Sequence, residues 1–198
     1  MQVILEKEAQ HQEDHALRVQ RITRISGVMK WVLTAFMVLV IVVGILVLAV
    51  LSVPDLLEVA KDTMEFGGAE RVFGDVPAWQ RLLLALFYEL CIGSFLMTLW
   101  FMHRLFSSFQ IKEFFSSRAL SSMVWCGIWF VIFGVFDFLE EPVSSVLTTL
   151  DLGENQRQLE IGLEGGEIFF IIFGVLFITL GWVMREAASL HEENQQFI

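Results

Sequence analysis

Five carboxylates stand where they could do chemistry. Glu89 lies inside "LLLALFYELCIGSFLMTLWFM" (Leu82–Met102), a run that is otherwise free of charge. Asp137, Glu140 and Glu141 close another apolar run in "FDFLEEPVSS", and Glu167 opens a third in "EGGEIFF". An acidic side chain at a bilayer centre costs roughly 2.5–3.5 kcal/mol on insertion scales and less toward the edge. Glu89, seven residues past Leu82, sits about 10 Å inside its helix at 1.5 Å per residue. It is the one acid deep enough to require either a partner or a use.

Three readings of these acids compete. In the first, Glu89 is neutral or paired with Arg81, Arg71 or a hydroxyl such as Ser94, and fixes helix register. In the second, the acids recognise a cation, a basic peptide or a proton-linked solute. The third, hydrolytic or metal chemistry, lacks its usual residues. His11, His15, His103 and His191 all fall on the opposite side of the membrane in this reading. A carboxylate-only site suits hard cations rather than zinc. No H-E-x-x-H, G-x-S-x-G or Gly-rich phosphate loop is present. "DLGEN" (Asp151–Asn155) has the wrong acid spacing for a calcium loop and reads as a helix stop. No catalytic residue, metal ligand or cofactor is therefore expected.

Helical spacing brings the acids together. Glu89 and Gly93 share a side of the second helix. Gly127, Gly134, Asp137 and Glu141 fall on one stripe of the third, and Glu167, Ile171, Gly174, Ile178 and Gly181 on one stripe of the fourth. Small residues mark close helix approach in membranes. Gly93, Gly127, Gly134, Gly174 and Gly181 are thus the expected packing positions, and the acids are expected to converge on one outer pocket.

The elements carrying these residues are membrane spans. Of 198 residues, 56% are hydrophobic, with 19 Phe, 6 Trp and a mean hydropathy of +0.65, against about 45–50% apolar in a soluble domain. The excess sits in four blocks, Trp31–Leu51, Leu82–Met102, Leu120–Leu139 and Ile168–Met184. Blocks of about 20 residues cross a hydrocarbon core of about 30 Å, and the shorter fourth becomes adequate if Gly165, Gly166 and Glu167 begin its helix. The segments between them are too short and too acidic to cover so much apolar surface in water. The first block reads as a retained anchor, because its polar lead is long and no A-x-A-like site follows. Cys91 and Cys126 both fall inside spans, so they read as small packing residues and no disulfide framework is indicated.

Basic residues set the orientation. Nine of them (Lys7, Arg18, Arg21, Arg24, Lys30, Arg104, Lys112, Arg118, Arg185) fall on the side of the termini, and four (Lys61, Arg71, Arg81, Arg157) on the other. The positive-inside rule makes both termini cytoplasmic. Thirteen carboxylates, Asp55 to Asp75 and Glu140 to Glu167, crowd the outer connections, so the net charge of −10 is mostly external. That charge excludes direct nucleic-acid binding, while the basic inner rim suits anionic lipid headgroups. Trp31, Trp182 and Trp79 mark the interfaces.

The expected fold is an all-α integral membrane four-helix bundle, up-and-down, forming a single domain over 1–198. Residues 1–29 form a cytoplasmic lead-in, helical and lying along the membrane surface. Spans cover about 30–51, 82–104, 119–140 and 166–185, and 186–198 form a cytoplasmic tail. Short amphipathic helices are expected in both outer connections: one at "PDLLEVAKDTMEF", the other carrying Val143, Val146, Leu147 and Leu150 after Pro142. The inner connection, His103–Ser122, is short and amphipathic, with Phe106, Phe109, Phe114 and Phe115 facing the interface.

Two stretches carry a family resemblance. "FFSSRALSSMVWCG" places Phe115 and Ser116 before a basic helix start at Arg118 and then Gly127. The tail "MREAASLHEENQQFI" carries Arg185, Leu190 and Glu192-Glu193-Asn194. This resembles DUF2975, a family of uncharacterised four-span bacterial membrane proteins. Lys112 and Ala187 stand where that family usually has Gly. The resemblance implies a bacterial cytoplasmic (inner) membrane location, no catalysis, and pairing with a small helix-turn-helix regulator. Phe115, Arg118, Arg185, Leu190 and Glu193 are then the candidate partner contacts. Taken together, the expectation is a regulatory or sensory subunit, with a small cation- or proton-coupled, homo-oligomeric transporter subunit as the alternative.

Overall fold

A computed structural model describes residues 2–52, 76–113, 115–153, 157, 159–162 and 165–196. These form four helices, α1 (Gln2–Ser52), α2 (Ala78–Gln110), α3 (Ser117–Thr149) and α4 (Gly166–Gln196). Each contains a stretch long and apolar enough to cross a membrane: Val19–Ser52, Ala78–Gln110, Ser117–Thr149 and Gly166–Leu190. The protein is an all-α, multi-pass membrane protein with four candidate spans packed up-and-down. Large apolar side chains such as Val32, Leu39, Ile45, Leu86, Ile172 and Val183 are exposed on the helix surfaces, which suits hydrocarbon, since helices satisfy their own backbone groups.

Packing is serial. α1 lies on α2, α2 on α3 and α3 on α4, and among the described residues no comparable α1–α4 interface closes the ring. A chain of phenylalanines crosses all four helices: Phe36–Phe95 (ring centroids 6.0 Å apart), Phe95–Phe133 (4.9 Å) and Phe133–Phe170 (4.8 Å). The α3–α4 seam is closer still, because glycines let backbone approach backbone. A Cβ on Gly127 would stand 2.6 Å from the Gly174 carbonyl oxygen, and one on Gly134 would stand 3.0 Å from that of Glu167. Cys126 is buried, and its Sγ donates to the Thr98 carbonyl of α2 at 3.8 Å.

Several boundaries differ from the sequence expectation. Residues 2–29 are not a separate surface helix; they continue into the span as one uninterrupted α1. That stretch has no Pro, and the helix formers Glu, Gln, Ala, Arg and Leu outweigh a single Gly27. Residues 143–149 likewise form no separate amphipathic helix. They are the last turns of α3, which runs through Pro142. Proline there removes one ladder bond, to the carbonyl four residues back, and the helix tolerates that single loss. The expected helix at "PDLLEVAKDTMEF" lies outside the described residues.

α2 extends to Gln110, so the inner connection shrinks to residues 111–116. Glu113 N–H bonds the Ser108 carbonyl and Lys112 N–H the Phe109 carbonyl, each at 3.1 Å. This is a Schellman stop, whose left-handed position favours glycine. Lys112 occupies it at φ 67°. Ser116 then caps α3 by accepting from Ala119 N–H at 3.2 Å.

Candidate functional site

The end of the helix row at Ala78, Thr149 and Gly166 carries the polar groups. Sequence "EEPVSSVLTTLD" places Ser144, Ser145, Thr148 and Thr149 on one face of the last turns of α3, and all four are buried. Their hydroxyls bond back to their own helix: Ser144 to the Glu141 carbonyl (3.1 Å), Ser145 to Pro142 (3.1 Å), Thr148 to Ser144 (2.7 Å) and Thr149 to Ser145 (2.7 Å). Back-bonding satisfies a hydroxyl without water.

Three ties fasten neighbouring segments to this face. Gln80, fully buried in the first turn of α2, grips Asp151 with both amide atoms. Its nitrogen donates to Oδ1 at 3.2 Å, and its oxygen accepts from the Asp151 N–H at 3.1 Å. Tyr88 of α2 hydrogen-bonds the Glu140 carboxylate. From the α3–α4 connection, Glu160 N–H donates to Ser145 Oγ at 3.1 Å. The Glu141 carboxylate also lies directly against Gly162, where a Cβ would overlap it.

The expected acids are divided between two places. Asp137, Glu141 and Glu167 lie around the junction of α3 with the start of α4. Asp137 Oδ2 comes within 3.9 Å of where a Gly166 Cβ would be, and Glu167 is buried in the first turn of α4. Negative charge there complements the positive end of the α4 dipole. Glu140 leans the other way, toward Tyr88 and Cys91 of α2.

Glu89 does not join them. Its carboxylate faces α1, with Oε2 3.6 Å from the Cβ position of Gly44, and its Oε1 is buried with no hydrogen-bond partner. Neither described partner expected for it is engaged. The Ser94 hydroxyl donates to the Cys91 carbonyl (2.7 Å), and Arg81 keeps Nε and Nη1 unpartnered; Arg71 lies outside the described residues. The physical reason is helical direction. Glu89 and Tyr88 are successive residues about 100° apart on α2, so when Tyr88 meets α3, Glu89 meets α1. Gly93, expected beside Glu89 as a packing position, has nothing within 4 Å of its Cβ site. One turn beyond Glu89 the glycine adds no close approach.

Sequence reasoning missed Gln80, Tyr88 and Gly162, and named Arg81 only as a partner for Glu89. The serine–threonine face was visible as a period in "SSVLTT", but a lone Gln or Tyr at a span edge carries no spacing signal. At the opposite end, Phe115, Arg118, Arg185, Leu190 and Glu193 are all exposed. Among the described residues no three His, Cys, Asp or Glu side chains are grouped to hold a metal ion. No family model, curated protein or solved structure matches this chain.

Proposed function

We propose that the chain is a non-catalytic regulatory or sensory subunit of the bacterial cytoplasmic membrane, with both termini in the cytoplasm. The polar end receives a signal, and the basic end holds a cytoplasmic partner through Phe115, Arg118, Arg185, Leu190 and Glu193. The observation that carries this reading is the set of ties from Gln80, Tyr88, Ser145 and Glu141, which joins α2, α3 and the approach to α4 at one end. A ligand that disturbs those ties moves helices whose other ends present exposed side chains. Packed seams shift as units rather than deform. The resemblance in the inner connection and tail supports a small helix-turn-helix regulator as the partner. A photo-cross-linker at Leu190 tests the reading in cells at native expression. One defined adduct is expected, its yield altered by Glu140→Gln, and a clean blank overturns the proposal.

Glu89 favours a second reading, a cation- or proton-coupled transport subunit. Its buried Oε1 lacks a partner in the α1–α2 seam, as a group that takes up a proton or cation in turn would. Solute or proton flux into proteoliposomes is the measurement, and flux unchanged by Glu89→Gln removes this reading.

A further inference from the structure

α2 begins without a side-chain cap. Pro77 holds the N-cap position and offers no side-chain acceptor, while its carbonyl takes the N–H groups of Gln80 (3.0 Å) and Arg81 (3.2 Å). The N–H groups of Ala78 and Trp79 have no partner among the described residues. They point out of the positive end of a 33-residue helix. Arg81 stands one turn in, on a helix whose side chains lean back toward its N-terminus. Arg81 is 9% exposed, and its Nε and Nη1 are buried without a hydrogen-bond partner.

A guanidinium stays charged at every relevant pH. Buried charge is stable when it is paired and hydrogen-bonded, and costly otherwise. Gln80 ties Asp151 to this turn, its amide nitrogen donating to Oδ1 and its amide oxygen accepting from the Asp151 backbone N–H. Among the described residues, Arg81 Nε and Nη1 and the Ala78 and Trp79 amides are donors without an acceptor.

We propose that Arg81, together with the Ala78 and Trp79 amides, is an oxyanion site that takes a phosphate group. The planar guanidinium offers parallel donors that match phosphate oxygens, and a helix N-terminus supplies the rest. Two sources present this chemistry, a phospholipid headgroup and free phosphate. α2 starts where its apolar run starts, and Trp79 is exposed beside Arg81, which places the site at headgroup level. Carboxylates crowd the same end of the chain. Their field opposes a phosphate at this site whatever its source, and burial of acyl chains offsets that cost for a lipid alone.

The test uses the purified full chain, delipidated in detergent, with its thermal midpoint and retained lipid measured by native mass spectrometry. Phosphatidylglycerol is expected to raise the midpoint and to remain bound, whereas a galactosyl diacylglycerol does neither. Arg81→Gln is expected to weaken binding by about tenfold or more, the scale of a lost charge-assisted pair. Arg157→Gln, an exposed cation at the same end, leaves it unchanged. Stabilisation by inorganic phosphate beyond equal ionic strength of chloride, lost in Arg81→Gln, supports the same site with a soluble source. If Arg81→Gln does not fold, Arg81→Lys, which keeps the charge and loses the fork, is expected to bind more weakly than the parent chain. No response to either anion, or equal binding by the folded variant, overturns the proposal.

Discussion

Gly127 and Gly174 meet backbone to backbone. A Cβ on Gly127 would lie 2.6 Å from the Gly174 carbonyl oxygen, and one on Gly174 would lie 2.7 Å from that of Gly127. Backbone atoms cannot swing aside as a side-chain tip can, so α3 and α4 must separate to admit a methyl group. Gly174→Ala is expected to cost about 1–3 kcal/mol, the usual range for overpacking. Gly93→Ala, with open space at its Cβ site, is expected to be neutral or to gain up to about 1 kcal/mol from helix propensity. Paired denaturation midpoints in detergent separate the two outcomes.

Lys112 is the position where a local change should help. Its φ of 67° costs a side-chain-bearing residue roughly 1–2 kcal/mol that glycine avoids. Glycine loses part of that advantage through its freer unfolded chain. Lys112→Gly is expected to raise stability by about 1 kcal/mol, and a fall in the midpoint would mean that the lysine side chain does something its φ does not reveal.

The Gln80–Asp151 pair makes a pH-dependent prediction. Gln80→Glu sets two carboxylates against each other at a position that is fully buried on the α2 side. At neutral pH one must give up its charge or the contact opens, at a cost of about 2–4 kcal/mol. The introduced carboxyl binds its proton more tightly folded than unfolded, so the folded state holds more protons and stability falls as pH rises. Lowering the pH should restore the variant toward the parent chain, because a protonated carboxyl donates as the amide nitrogen did. A midpoint difference that is flat between pH 4 and pH 8 (about the range detergent allows, and one that brackets carboxyl titration) would contradict the pairing.

Glu89 should behave unlike a latch. Its Oε1 makes no hydrogen bond, so Glu89→Leu removes an unsatisfied polar atom and is expected to be neutral or stabilising by about 1 kcal/mol. Tyr88→Phe, which removes the hydroxyl bonded to Glu140, is expected to cost about 1 kcal/mol or more. Destabilisation by Glu89→Leu as large as that by Tyr88→Phe would return Glu89 to a register-fixing role.

The spans were legible because twenty apolar residues in a row admit few other fates. The glycine stripes of α3 and α4 were also readable from spacing, and the structure sets them face to face. Helix ends were harder to read. Pro142 looked like a boundary, yet α3 passes through it, since one missing N–H is a local loss set against several turns of ladder. The lead-in before Lys30 looked separate only because polarity changes there, and polarity does not end a helix. The candidate site was half visible. Asp137, Glu140, Glu141 and Glu167 stood out as charges at span edges. Gln80 and Tyr88 matter through what they touch across helices, which no periodicity within one segment encodes. Glu89 was expected to join the other acids because depth and charge are readable, whereas the rotation that turns it toward Gly44 is set by packing.

α1 has 51 residues without a break, about 76 Å of rod at 1.5 Å per residue. A hinge between its polar and apolar halves would let the far tip twist freely. Without one, the polar stretch and Gly44, which faces the Glu89 carboxylate, belong to one continuous rod, so a shift of either end is shared by the other.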